Sequence, residues 1–415
     1  MKLDLTDMLY AMSFALDRVE MEILGTDTGH GRHAAYLSLL MGRKAGFSDE
    51  ELRDFVGCCL LHDNALTEYI YEELAPSPRA EDLSIKLSDL SEPQKTEFYH
   101  GHSVIGEHNI RLLPFRTDVK NIILYHHENA DGSGPIGMTA SDIGLKPQIL
   151  HLADRVDVTS RLKTMDLAEF EKVRQWVKSE EGTSFSKEAV ELFLKTVDYD
   201  KILYLQEKGV RAFLHEQLSE EILDYSDEEI RNITGMFAKI VDYKSEFTRT
   251  HSTDVARKAE FMAHYYGFGS EKAIRFYFAG AMHDIGKLIV PNDILEKPGK
   301  LTFNEFEEMK NHAAATYYIL SQMKEISDIR EWASRHHEKL NGTGYPRGLE
   351  AKDLTFEDRL MACIDIYQAL TEKRPYKEGL SHEESISIMM EMVKKGEIDE
   401  NLVHDIDVVM KEHFQ

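Results

Sequence analysis

A chain of 415 residues, 42% hydrophobic and 30% charged, exceeds one typical core and fits a two-domain globular protein, not a disordered one. Its formal net charge of −25 has the wrong sign for a polymeric nucleic-acid or anionic-membrane surface. An anionic substrate would need metal ions or a small Lys/Arg cluster to override that field.

The opening segment, MKLDLTDMLYAMSFALDRVE, carries Asp4, Asp7 and Asp17 among its apolar positions, which a signal peptide would not. No run approaches the roughly 18 apolar residues that span a bilayer, so no membrane insertion is expected. Cys58, Cys59 and Cys363 form neither a disulfide framework nor a CxxC zinc site, and a reducing, cytoplasmic setting is the expectation. Next comes HGRHAAYLSLLMGRKAGF, from His30. In SDEELRDFVGCCLLHD, Ser48 is placed to cap a helix with Glu51 at its third position, and Leu52, Phe55, Val56, Cys59 and Leu60 share one face. A longer segment around APSPRAEDLSIKLSDLSEPQ precedes HHENADGSGPIG, which starts at His126. The acidic stretch EQLSEEILDYSDEE lacks Gly and Pro, and a helical linker is predicted over 216–227. Beyond it stand HSTDVARKAEFMAHYYGF from His251 and SEKAIRFYFAGAMHD, where the capping design recurs from Ser270 through Ile274, Phe278 and Met282. HHEKLNGTGYPRG, from His336, follows. Alternating strand patterns are scarce and Gly/Pro loops fall between helical ones, so the fold class is all-α.

An internal repeat sets the architecture. His30 and His251 lie 221 positions apart, and so do the His62-Asp63 and His283-Asp284 pairs. The double histidines at 126 and 336 lie 210 apart, and Asp154 and Asp365 lie 211 apart. Residues 1–215 and 228–415 therefore read as two tandem copies of one helical unit, which are expected to pack as an internal pseudo-dimer.

In the second copy the ordered set is His251, His283, Asp284, His312, His336, His337 and Asp365. Imidazoles with carboxylates suit Fe, Mn, Zn or Ni better than Ca or Mg. Seven ligands exceed one ion's needs, and two ions sharing Asp284 as a bridge would use them. Two ions about 3.5–4 Å apart stabilise both oxygens of an in-line displacement at phosphorus. Lys287 lies one turn beyond the pair, where it can meet a phosphate or a leaving oxygen. Arg374 offers a bidentate fork, and the Gly344-Tyr345-Pro346 loop an aromatic rim. A single histidine on an apolar helix is more often packed or surface-exposed, and His33, His108, His215, His264, His382, His404 and His413 are read that way. The set differs because its whole series occurs twice.

The order H…HD…H…HH…D resembles the HD phosphohydrolase superfamily. HDIGK, HHEKLNGTGYP and the run from Asp365 to Tyr376 make residues 245–380 similar to an HD-GYP domain, an all-α phosphodiesterase of cyclic dinucleotides. The resemblance implies one ion on His251, His283, Asp284 and Asp365. It places a second on Asp284, His312, His336 and His337, with iron or manganese favoured over nickel or zinc. Asp284 and Lys287 would be catalytic, with Lys287, Gly344, Tyr345, Pro346 and Arg374 facing substrate. Members with three metals carry a Glu four residues before the first histidine; here Phe247 stands there and Glu246 one place off, so two ions are expected. The family's usual Asp before GTGYP is Asn341 here.

The first copy keeps His30, His62, Asp63, His102, His126, His127 and Asp154, a candidate second metal site. It departs elsewhere: Leu66 replaces Lys287, the loop tyrosine is gone, and Lys163 aligns with Arg374. Residues 1–215 thus read as a degenerate HD-GYP-like copy and 228–415 as the phosphodiesterase domain. The expected reaction is hydrolysis of cyclic di-GMP to a linear 5′-phosphorylated dinucleotide and onward to mononucleotides. Hybrid cyclic GMP-AMP is the alternative substrate, and a non-catalytic ligand- or partner-binding signalling protein the alternative class.

Overall fold

The computed structural model describes residues 1–414 apart from 27, 75–86, 245–249, 298 and 374–377. The chain forms two compact units, one of Asp4–Leu223 and one of Asp224–Gln415 with Met1–Leu3. Arg374, Glu246 and Phe247 lie outside the described residues.

The first unit runs through α1 (Leu5–Leu24), α2 (His30–Ala45), α3 (Asp49–Leu60), α4 (Glu92–Ile110), α5 (Leu145–Thr159), α6 (Leu167–Ser179), α7 (Lys187–Thr196) and α8 (Tyr199–Gln217). The second runs through α9 (Asp227–Asp242), α10 (His251–Tyr265), α11 (Ser270–Met282), α12 (Phe303–Leu320), α13 (Ser327–Ser334), α14 (Phe356–Thr371), α15 (His382–Lys394) and α16 (Glu400–His413). Among the described residues the only strands are the three-residue β1 (Lys2–Asp4) and β2 (Ile222–Asp224), and the fold is all-α.

Helix α2 lies at the centre of the first unit, packed on α1, α3, α5 and α7. The α3 face of Leu52, Phe55, Val56, Cys59 and Leu60 is fully buried. Each such side chain contributes about 1.5–3 kcal/mol by leaving water. In the second unit α10 packs on α9, α11 and α14, with Ile274, Phe278 and Met282 of α11 buried. Both histidine-bearing helices stop in the same way. Gly46 and Gly267 take positive φ (88° and 72°), and the next residue's N–H turns back to the helix, Phe47 to Gly42 O and Phe268 to Ala263 O.

Ser48 and Glu51 form the capping box the sequence predicts. Ser270 does not cap: it is the first helical residue of α11, and Gly269 stands at the N-cap without a side-chain bond. The helix predicted over 216–227 is broken between 218 and 226. Helix α8 ends at Gln217, Leu218 is extended, and Asp4 Oδ2 accepts the Glu221 N–H at 2.7 Å, holding that backbone outside a helical path. Ser226 then caps α9 with Glu229, so helix restarts only at Asp227.

Candidate metal centre

The second unit brings its seven predicted ligands together: His251 opens α10, His283 and Asp284 follow α11, His336 and His337 follow α13, and His312 and Asp365 come from within α12 and α14. Asp284 lies at the centre, 2% exposed. Its Oδ2 faces His251 Nε2 (3.7 Å) and His283 Nε2 (3.2 Å); its Oδ1 faces His312 Nε2 (3.6 Å) and His336 Nε2 (3.8 Å). Asp365 Oδ1 lies 3.2 Å from His251 Nε2 and 3.6 Å from His283 Nε2, and its Oδ2 is 3.8 Å from His337 Nδ1. The ligand atoms of His251, His283 and Asp365 lie within 4.8 Å of one another, and so do those of His312, His336 and His337. One carboxylate thus presents one oxygen to each of two imidazole groups.

Backbone carbonyls fix the rings. Nδ1–H of His283 donates to Gly280 O (2.7 Å), that of His312 to Met309 O (2.7 Å), and that of His336 to Ala333 O (2.6 Å). Since a carbonyl only accepts, the proton of each ring in its neutral form sits on Nδ1, and Nε2 then offers a lone pair toward the cluster. His251 is held through Nδ1 by Glu372 Oε2 at 3.2 Å. Burial lowers the pKa of His336 to about 3 and holds His312 and His337 below their ordinary values, the neutral state that coordination requires. Burial also disfavours charge on His283, but Asp284 outweighs it and pushes that pKa up to about 10. His283 Nε2 and Asp284 Oδ1 are buried with no hydrogen-bond partner. Such atoms cost about 1–3 kcal/mol each when unmet, and the donor set fits divalent cations of the iron, manganese or zinc kind.

Lys287 reaches the cluster through a short 3₁₀ turn, Ile285–Ile289, and its ammonium pairs with Asp284 Oδ2. Gly286 allows this turn to cross α12. A Cβ there would meet His312 O, and Thr316 N at 2.7 Å. Thr316 bridges the crossing, its hydroxyl accepting from Gly286 N–H (3.1 Å) and donating to His283 O (2.9 Å).

The glutamate after the paired histidines has a role that sequence reading missed. Buried Glu338 accepts the Arg347 N–H (2.7 Å) with one oxygen and the Leu349 N–H (2.8 Å) with the other, clamping the loop over the centre. Glu128 does the same in the first unit, to Ile136 (2.7 Å) and Met138 (2.6 Å). Its presence after both histidine pairs was the available signal. Gly344 runs against the Glu338-Lys339 backbone with no room for a Cβ. Asn341 Oδ1 accepts from the Thr343 N–H (3.1 Å) and hydroxyl (2.7 Å), a turn any Asx residue can make. Tyr345 lies over His337 with centroids 4.7 Å apart, and Phe306 and Lys310 of α12 stand beside it. Neither of these two had drawn notice in the sequence.

The first unit repeats the assembly with other details. His30 Nε2 lies 3.1 Å from Asp154 Oδ1, His62 Nε2 3.3 Å from Asp63 Oδ2, and His102 Nε2 3.5 Å from Asp63 Oδ1. Asp63, His102, His126 and His127 form one close group, and His127, His151 and Asp154 another. His151 was not foreseen. His33, read as an ordinary packed histidine, shares Asp157 with His30: that carboxylate accepts from both Nδ1 atoms, at 2.7 and 2.8 Å. Lys163, aligned with Arg374, instead donates to Thr28 O at 2.7 Å.

An HD domain family model matches residues 75–167 and 235–402. The chain is 29% identical over 423 residues to 3′3′-cGAMP-specific phosphodiesterase 1 of Vibrio cholerae serotype O1, covering 99% of this chain and 92% of that protein. It is 27% identical to 3′3′-cGAMP-specific phosphodiesterase 3 of the same organism, covering 93% and 90%. A cyclic di-GMP phosphodiesterase of Thermotoga maritima is 32% identical over 184 residues, 44% of this chain and 50% of that one. The crystal structure of the Vibrio cholerae cyclic GMP-AMP-specific phosphodiesterase V-cGAP3 superposes with a TM-score of 0.68 at 23% identity, covering 100% and 99% of the two chains, and so shares the fold. No helix among the described residues is long and apolar enough to cross a membrane.

Proposed function

The chain belongs to the HD domain family as a metal-dependent phosphodiesterase of the HD-GYP type, and from that premise we propose that its second unit hydrolyses a 3′-5′ phosphodiester of a cyclic dinucleotide. The observation that carries this reading is Asp284, whose two oxygens serve two imidazole groups with Lys287 against one of them. Divalent ions held there supply Lewis-acid stabilisation of charge at phosphorus and make water a competent nucleophile near neutral pH. Asp284 and Asp365 orient the two ligand groups. Lys287 meets the scissile phosphate and gives a proton to the leaving 3′-oxygen as the new P–O bond forms and the P–O3′ bond breaks. Tyr345, with Phe306 and Lys310, forms an aromatic, cationic wall for a base and its ribose. Arg374 is assigned to a phosphate oxygen. The product is a linear 5′-phosphorylated dinucleotide.

As substrate we put 3′,3′-cyclic GMP-AMP ahead of cyclic di-GMP, reversing the order the family resemblance implies. Two relatives that align along both units are named for the hybrid dinucleotide, whereas the Thermotoga cyclic di-GMP enzyme aligns over 44% of the chain. The test is product analysis after anaerobic incubation of iron- or manganese-loaded protein with each cyclic dinucleotide. The expected result is a kcat/KM at least about tenfold higher for the hybrid, a difference of about 1.4 kcal/mol. Faster cleavage of cyclic di-GMP would reverse the assignment. Binding without cleavage of either would sink the catalytic reading.

A further inference from the structure

We propose that the first unit holds a divalent transition metal of its own, in a centre that includes His151, and that the cavity above it takes a phosphate oxyanion only when that metal is bound. This holds whether or not the second unit cleaves a cyclic dinucleotide.

The rings are set for coordination. Nδ1–H of His62 donates to Cys59 O (2.9 Å), of His102 to Phe98 O (2.6 Å), of His126 to Ile123 O (2.6 Å) and of His151 to His126 O (2.8 Å). The Nε2 atoms of His62, His126 and His151 are buried without a hydrogen-bond partner. His62 Nε2 has Asp63 Oδ2 at 3.3 Å, but His126 and His151 have no such neighbour, and at about 1–3 kcal/mol each those two atoms cost roughly 2–6 kcal/mol, a large share of a domain's net 5–15 kcal/mol. A copy drifting free of function would shed that cost by replacing one histidine with an apolar residue. This copy has instead kept seven ligands and holds an eighth. His151 lies one turn before Asp154 on α5, is 4% exposed, and groups with His127 and Asp154. The aligned position in the second unit is Ala362.

The covering of the site has also been rebuilt. Between the two glycines of positive φ that end the loops, Gly137 and Gly348, and the preceding Gly134 and Gly344, the first unit has one residue fewer. The missing residue is the tyrosine itself: Pro135 answers to Pro346, and the glutamate clamp is unchanged on either side. Tyr99 of α4 occupies the place left over the second histidine, its ring 4.4 Å from His127, as Tyr345 is 4.7 Å from His337. The aromatic cover comes from the opposite wall. Above it is a cavity of about 290 Å³, lined by Tyr99, Asn129, Ser133, Arg155 and Ser184, with Asp63 and Asp154 at its floor. That volume is at the lower limit of small-molecule sites and holds a phosphate with a small group. Asp63 and Asp154 disfavour an anion in the cavity, and a bound divalent ion would offset their charge, which ties phosphate binding to metal binding.

The experiment uses the full chain carrying Asp284→Ala, stripped by chelator and reloaded with Co²⁺, read by metal analysis and visible absorption. Adding Asp63→Asn is expected to remove about one ion per chain, and adding His151→Gln to weaken cobalt binding about tenfold. Equal cobalt content with and without Asp63→Asn, in chains with unaltered circular dichroism, would overturn the metal centre. Millimolar inorganic phosphate is expected to shift the cobalt spectrum, and less so with the half-exposed Arg155 changed to Gln. No shift at saturating cobalt would overturn the oxyanion site.

Discussion

The two units keep the same ligand order but support it by different means. In the second, the 3₁₀ turn crosses α12 through Gly286 against Thr316; in the first, the aligned residues are Ala65 and Gly106, whose missing Cβ leaves room for Asn64 and Ile123. The side-chain bulk has changed sides of one crossing. The leading histidine is steered by Glu372 in the second unit and by Asp157 in the first, from positions one helical turn apart. Lys287 becomes Leu66, and the hydroxyl bridge of Thr316 gives way to a buried amide pair, Asn109 Nδ2 donating to Asn64 Oδ1 at 3.0 Å. These are compensated substitutions. They show that the geometry of the imidazoles has been retained while the groups that would touch a phosphodiester have been exchanged, which is why the two centres are assigned different tasks.

The largest expected contrast is catalytic. Asp284→Asn should lower kcat by at least about a thousandfold, roughly 4 kcal/mol of barrier, and by far more than Asp63→Asn does. Equal losses in turnover assays would erase the asymmetry between the units. Next in size is the crossing. Gly286→Ala forces a methyl into the α12 backbone and should cost about 1–3 kcal/mol in denaturant unfolding. Adding Thr316→Gly recreates the arrangement of the first unit, and the double variant should be less destabilised than the sum of the two by about 1 kcal/mol. Strict additivity would mean that the two crossings are not equivalent. Third, Glu338→Ala frees two loop N–H groups that each bond a carboxylate, at about 1.5–3 kcal/mol apiece. It should lower stability about as much as Glu128→Ala but reduce kcat/KM more steeply, since only the loop of Glu338 carries Tyr345.

The candidate ligand positions, and their gathering into one cluster per unit, were legible in the sequence because duplication shows one series twice, and an ordered series of seven is hard to produce by chance. What surrounds them was not. Glu128 and Glu338 were visible as the E of HHE, but the carboxylate's use is to bind backbone eight to eleven residues on, which no side-chain pattern records. Asp157 and Glu372 steer equivalent rings from non-equivalent positions, so alignment of the copies conceals both. Tyr99 lies on a helix far from the loop it serves and aligns with Met309. Helical periodicity gave the fold class, yet it overextended the join at 216–227, where a tertiary bond from Asp4 decides the backbone.

The smallest effect is the most discriminating about substrate. Tyr345 faces His337 with one side of its ring and is only partly buried, so it is placed to stack a base and not to hold an ion. Base stacking on an aromatic ring is worth about 1–3 kcal/mol. Tyr345→Ala should therefore raise KM for a cyclic dinucleotide about tenfold with a smaller change in kcat, while metal content stays level. Tyr345→Phe should restore KM, because the stacking face and not the hydroxyl is what counts. A fall in kcat at constant KM would instead place the tyrosine in the chemical step. Nothing comparable is expected in the first unit, where the loop tyrosine is absent and Tyr99 covers His127 from a helix.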